Sequence, residues 1–173
     1  FSFLTPGCTV SFGGSMTLED TGMLTALRHD PGITLLDRAQ AKTPEETKKI
    51  YHDALSSDFY FMSTNAITKD GELVNIDGTG NRVAALIYGP EHVIVMAGMN
   101  KVAANVDEAL SRVHGTATPM NCKRLGKNTP CSATGVCSDC LSPDCICNQV
   151  VITRRSGIEG RIKVILIGEE LGY

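Results

Sequence analysis

The run His92-Val93-Ile94-Val95-Met96-Ala97 carries no polar alternation. A strand with apolar residues on both faces is covered on both faces, which is the situation of a central strand in a parallel sheet. Similar short runs recur at Cys8–Phe12, Ile33–Leu36 and Phe59–Met62. Stretches of helical character separate them. One begins at Ser15 or Thr17, with Leu18, Met23, Leu24 and Leu27 as core positions. Another opens at Thr43-Pro44-Glu45-Glu46, a capping residue followed by Pro and first-turn acids. Strands alternating with helices predict an α/β fold: an open, mostly parallel sheet with helices on both faces.

Asp70-Gly71 between Ala66-Ile67 and Leu73-Val74 predicts a tight hairpin. After Gly98-Met99-Asn100-Lys101 the pattern predicts a helix running to about Val113; Lys101, at a strand end, either faces the pocket or, the preferred reading, is exposed at the helix start. Gln149–Thr153 and Ile162–Ile167 read as two closing strands. The 173 residues suit one domain over 1–173. The Cys-rich stretch 119–148 is an insert near its C-terminus, too long for an idle loop.

The net charge of −3 gives no reason to expect nucleic acid as a partner. No apolar run approaches the roughly 20 residues that span a bilayer, and no signal peptide is visible. A cytoplasmic location is expected. The chain starts Phe1-Ser2-Phe3 without Met, so an upstream segment is expected to be missing.

Two Gly-rich stretches are candidates for ligand binding. Gly13-Gly14-Ser15-Met16-Thr17 sits at a strand-to-helix junction, where backbone N–H groups and the hydroxyls of Ser15 and Thr17 can meet an anion. The segment from Ser63 to Arg82 gathers Ser, Thr, Asn and Asp around the hairpin. Arg82 can hold a carboxylate or phosphate in bidentate fashion, or be held itself by Asp77. The expected pocket is lined by Gly13, Gly14, Ser15, Thr17, Asn65, Asp77, Asn81 and Arg82, and its expected ligand is a small anionic metabolite.

Five of the seven cysteines fall between Cys131 and Cys147. An odd total argues against a closed set of disulfides. Three readings of Cys131-x5-Cys137-x2-Cys140-x4-Cys145-x-Cys147 stay open: structural zinc, an iron–sulfur cluster, and a redox pair or air-formed disulfides. Cys8 reads as buried packing, and Cys122 as a candidate fifth partner that lies outside the cluster. His92 reads as structural; His29, His52 and His114 read as solvated.

Gly13-Gly14-Ser15-x-Thr17-Leu18, Ser63-Thr64-Asn65-Ala66-Ile67, Asp70-Gly71-Glu72-Leu73-Val74-Asn75-Ile76-Asp77-Gly78 and Gly80-Asn81-Arg82-Val83-Ala84 together resemble the LUD-domain family, whose relatives include lactate-utilisation protein C. The likeness runs to Gly168-Glu169-Glu170-Leu171-Gly172-Tyr173. It implies a fold like that of sugar-phosphate isomerases, CoA transferases and initiation-factor-2B-like isomerases, with the two Gly-rich loops lining the ligand site. The nucleophilic Glu of CoA transferases and the Cys–Asp pair of ribose-phosphate isomerases have no counterpart here.

The cysteine pattern resembles a Cys-bearing branch of that family, which implies Cys131, Cys137, Cys140 and Cys147 as the metal site and Cys145 as supernumerary. The protein C branch lacks these cysteines. The resemblance implies an accessory or ligand-binding subunit of lactate or organic-acid utilisation, with iron–sulfur oxidoreductase subunits as partners. Two other functions are open, a stand-alone isomerase or transferase acting on a small phosphorylated or carboxylated metabolite, and a redox or metal-responsive module. Self-association into a homo-oligomer is also open.

Overall fold

The structure is a computed structural model that describes residues 3–173. The chain runs through β1 (Thr9–Phe12), α1 (Met16–Asp20), α2 (Met23–His29), β2 (Thr34–Leu36), α3 (Pro44–Ala54) and β3 (Phe59–Met62). It continues through β4 (Ala66–Thr68), β5 (Leu73–Asp77), α4 (Asn81–Ile87), β6 (His92–Gly98), β7 (Val102–Ala103) and α5 (Val106–Arg112). Last come α6 (Thr118–Arg124), α7 (Pro130–Thr134), β8 (Gln149–Thr153) and β9 (Ile162–Ile167).

Five strands form one sheet in the order β2-β1-β3-β6-β9, and every neighbouring pair in it is parallel. Side chains alternate across it. Phe59, Phe61, Ile94 and Met96 face α1 and α2, packing with Leu18, Leu24 and Leu27. Tyr60, Met62, Val93 and Val95 face the other way, onto Ala54 of α3, Ala85 and Leu86 of α4, and Ile67 and Leu73. Both faces are therefore covered, and β6 lies inside the sheet as its apolar run requires. Burying a side chain as large as Phe61 stabilises the fold by about 2–3 kcal/mol.

The strand ends set the helix starts. Ser15 caps α1 by accepting from the Leu18 N–H at 3.3 Å, and Thr43 caps α3 from the Glu46 N–H at 3.1 Å. Removing such a cap costs about 1 kcal/mol.

Four expectations are revised. The hairpin forms, with Ala66 opposite Val74 and Ile67 opposite Leu73, but it is the centre of a second sheet, β7-β4-β5-β8. The two closing strands therefore part company, β8 joining this sheet and β9 the parallel one. Gly98 to Val113 is not one helix. Met99–Lys101 is a single 3-10 turn and Val102 pairs with Ile67, because the Met99 N–H donates to Glu169 O (2.9 Å) and holds the chain to the C-terminal tail. The stretch from Pro119 onward begins as helix: α6 continues from a π-helical turn at Val113–Ala117, with Pro119 in its first turn, where no N–H is required.

On the outer edge, β9 leaves Val164, Ile165 and Leu166 exposed. No helix among the described residues is long and apolar enough to cross a membrane.

Candidate functional site

Arg82 organises the loops at the C-terminal ends of β1, β3 and β5. Its guanidinium donates to Ser63 O (3.0 Å), Asn65 Oδ1 (2.9 Å), Ile76 O (2.8 Å) and Asn75 Oδ1. Its Nε lies 3.6 Å from Asp77 Oδ2. Burial lowers the Arg82 pKa, with Asp77 opposing that shift. The donors are thus spent on the protein, and Arg82 acts as a bracket with a fixed positive charge. Asp77 holds the next turn, accepting from the Thr79 N–H (3.2 Å) and the Gly80 N–H (3.0 Å). A Cβ on Gly13 would stand 3.1 Å from the Arg82 stem, so the bare backbone there admits the bracket.

Beside the bracket lies a cavity of ≈ 80 Å³ lined by Gly14, Ser15, Ser63, Asn65, Lys101 and Tyr173 among others. Lys101, expected on the surface, is buried. Its Nζ donates to Ser63 Oγ (3.0 Å) and Thr64 O (3.3 Å). The 3-10 turn after β6 points it inward, where a helix start would have left it in solvent. Desolvation, with Arg112 and Arg82 nearby, pushes its pKa down to about 7. Ser63 also donates to Thr17 Oγ1 (3.3 Å), and Thr17 in turn donates to Leu171 O (3.1 Å). A line of hydroxyls therefore runs from the amine to the C-terminal tail.

The cavity opens into a wider cleft of ≈ 480 Å³, lined among others by Gly14, Arg38, Asp77, Asn81, Arg124 and Lys127. Arg38 lies across Gly14, where a Cβ would fall 2.3 Å from its Nη2. Arg124 donates to the Tyr173 hydroxyl at 2.5 Å.

Of the residues expected from sequence, Gly14, Ser15, Asn65 and Arg82 line the cavity, while Asp77 and Asn81 line the cleft. Gly13 and Thr17 stand behind them, one under Arg82 and one in the hydroxyl line. Arg38, Arg124 and Tyr173 were not foreseen; Ser63 lay in the polar segment singled out, and Lys101 had pocket-facing only as its second reading. A signal existed for Lys101, which follows the C-terminal end of the central strand, where open α/β sheets place their ligands.

The cysteines are all free thiols. Cys131 Sγ is 3.3 Å from Thr129 Oγ1, and its thiol neighbours that of Cys122. Cys137 Sγ is 3.5 Å from His114 Nδ1, so His114 is not simply solvated. Cys145 Sγ accepts from the Cys147 N–H at 3.3 Å. Among the described residues, no three His, Cys, Asp or Glu side chains group so as to hold a metal ion. Cys122 is buried against Cys131 and near Cys145, although its position in the sequence sets it apart.

Among solved structures, the chain is similar to a chain of the tetrameric eIF2B-beta2-delta2 complex from C. thermophilum, at 21% identity over 58% of this chain and 38% of that one, with a TM-score of 0.35. It is also similar to eIF2B delta from Chaetomium thermophilum, at 20% identity over 64% of this chain and 50% of that one, TM-score 0.37. A DUF162 family protein from Deinococcus radiodurans aligns at 12% identity over 94% of this chain and 88% of that one, TM-score 0.40. The chain thus spans half or less of the two eIF2B chains. No curated protein matches it. The family model of the LUD domain matches residues 2–167, nearly the whole sequence, and the chain belongs to the LUD-domain family.

Proposed function

We propose that the cavity and cleft bind a small organic anion, a carboxylate or phosphate of few heavy atoms. One observation carries the reading: the guanidinium groups of Arg82 and Arg124 line the cavity, and no Asp or Glu lines it. Cationic groups in a partly desolvated site attract an anion far more strongly than the same groups in water. Ser15 and the backbone of Gly14 add polar contacts at the mouth. Membership of the LUD family supports a hydroxy or oxo acid as the anion, and an accessory role in lactate or other organic-acid utilisation beside iron–sulfur oxidoreductase subunits.

Among the described residues no three His, Cys, Asp or Glu side chains stand together, so the metal expected on Cys131, Cys137, Cys140 and Cys147 is not part of the proposal. Cys137 turns to His114 while Cys131 faces Thr129. The sulfur-rich segment contributes Cys145 and Ile146 to the wall of the cleft.

The test is titration calorimetry with lactate, glycolate and inorganic phosphate, repeated with Arg124→Gln. Binding that weakens about tenfold in the variant supports the reading, in line with roughly 1.5–3 kcal/mol for a hydrogen bond to a charged group. Absence of heat and of thermal stabilisation with all three anions overturns it.

A further inference from the structure

We propose that Lys101 is a catalytic amine that forms an imine with a small aldehyde or ketone bearing an anionic group. The proposal deepens the anion-site reading and rests on it.

Three observations on the amine carry it. Lys101 is buried at the wall of the cavity. No carboxylate forms an ion pair with it among the described residues, and the more distant Asp20, which favours the charged form, is outweighed by burial and by Arg112 and Arg82. Its two hydrogen bonds go to Ser63 Oγ and Thr64 O. A neutral amine has two N–H donors and one lone pair. With both donors spent on the protein, the lone pair is left for the cavity. Burial beside Arg82 and Arg112 lowers the pKa to about 7, so the nucleophilic form is well populated near neutrality. An amine left on the surface would be almost wholly protonated there.

The step balances without a further reactant. The Nζ lone pair attacks the carbonyl carbon, the C=O π electrons move to oxygen, and that oxygen gains a proton as nitrogen loses one. The carbinolamine then expels its hydroxyl as water while nitrogen gives up its second proton and forms C=N. One amine and one carbonyl yield one imine and one water. Ser63 Oγ, 3.0 Å from Nζ and continuous with Thr17 Oγ1, is placed to pass the protons. The anionic group of the substrate would sit toward Arg124 and Ser15, which line the same cavity.

The experiment uses the full chain, glyoxylate as the probe and sodium borohydride to reduce the imine to a stable secondary amine. Intact mass and peptide mapping locate the product. The expected result is one adduct per chain on the peptide containing Lys101. Acetaldehyde, which lacks the charge, should label that peptide at least tenfold less. Labelling absent, or spread over surface lysines such as Lys48 and Lys69, overturns the proposal; equal labelling by acetaldehyde overturns its anionic part. Because mapping is done on the unaltered protein, a folding defect in Lys101→Arg does not blunt the test. If glycolate raises the melting temperature but glyoxylate leaves no adduct, the anion site stands and the imine falls. If glyoxylate leaves no adduct and lactate, glycolate and phosphate all fail to bind, both fall.

Discussion

The amine of Lys101 donates to the hydroxyl of Ser63 across 3.0 Å inside the fold. Burial lowers its pKa to about 7, well below the value near 10.4 of an unfolded chain. Below pH 7 both states hold the proton, and the folded state bears the cost of a buried charge. Between pH 7 and about 8 the unfolded state binds more protons at Lys101, so stability rises with pH, by up to about 1.4 kcal/mol per unit; at higher pH the raised pKa values of Cys122 and Cys147 oppose that slope. Urea denaturation from about pH 6.5 to 8 should show the rise. Lys101→Met should flatten it and be the more stable protein at the acid end.

Arg82→Lys should destabilise the fold by about 3 kcal/mol. An ammonium cannot reach Ser63 O, Asn65 Oδ1, Asn75 Oδ1 and Ile76 O together, and the acceptors left over are buried. The urea midpoint measures the loss, and anion affinity should fall with it because the bracket shapes the cavity wall.

Gly14→Ala and Gly98→Ala should differ in kind. At Gly14 the new Cβ meets the far end of Arg38, which can swing aside, so stability should change by less than about 0.5 kcal/mol while anion binding weakens. At Gly98 it meets Leu171 N at 2.6 Å and Glu169 O at 2.7 Å, backbone that cannot yield without lifting the tail. That overpacking should cost about 1–3 kcal/mol in thermal unfolding.

Alkylation should sort the thiols. Burial, aided by neighbouring thiols, pushes Cys122 up to about 11 and Cys147 up to about 12. Both stay protonated at pH 8, and the thiolate is the reactive form. Iodoacetamide should therefore modify Cys137 and Cys140, which are partly exposed, well before Cys122 or Cys147. Mass mapping over time checks the order; early modification of Cys122 would contradict it.

Much of the parallel sheet was legible because strand runs such as His92–Ala97 and the capped start at Thr43-Pro44 are local signals. The second sheet was not, because β7 is two residues long and its pairing with β4 is a tertiary contact. The same holds for the site. Gly14, Ser15, Asn65 and Arg82 stood out by residue type, but Lys101 looked like any helix-start lysine until the tail pinned the turn before it. Cys122 was legible only as a candidate fifth partner at a distance in sequence; the packing of α6 on α7 is what brings it to Cys131.

The order β2-β1-β3-β6-β9 also sets a timetable for synthesis. The partner on the far side of β6 is β9, which ends at Ile167, so β6 keeps a bare hydrogen-bonding edge until nearly all of these residues have left the ribosome. An unpaired apolar strand is a template for pairing with other chains. Slow passage through residues 99–161 prolongs that vulnerable interval, and a chain halted before Ile162 should need chaperone protection to stay out of aggregates.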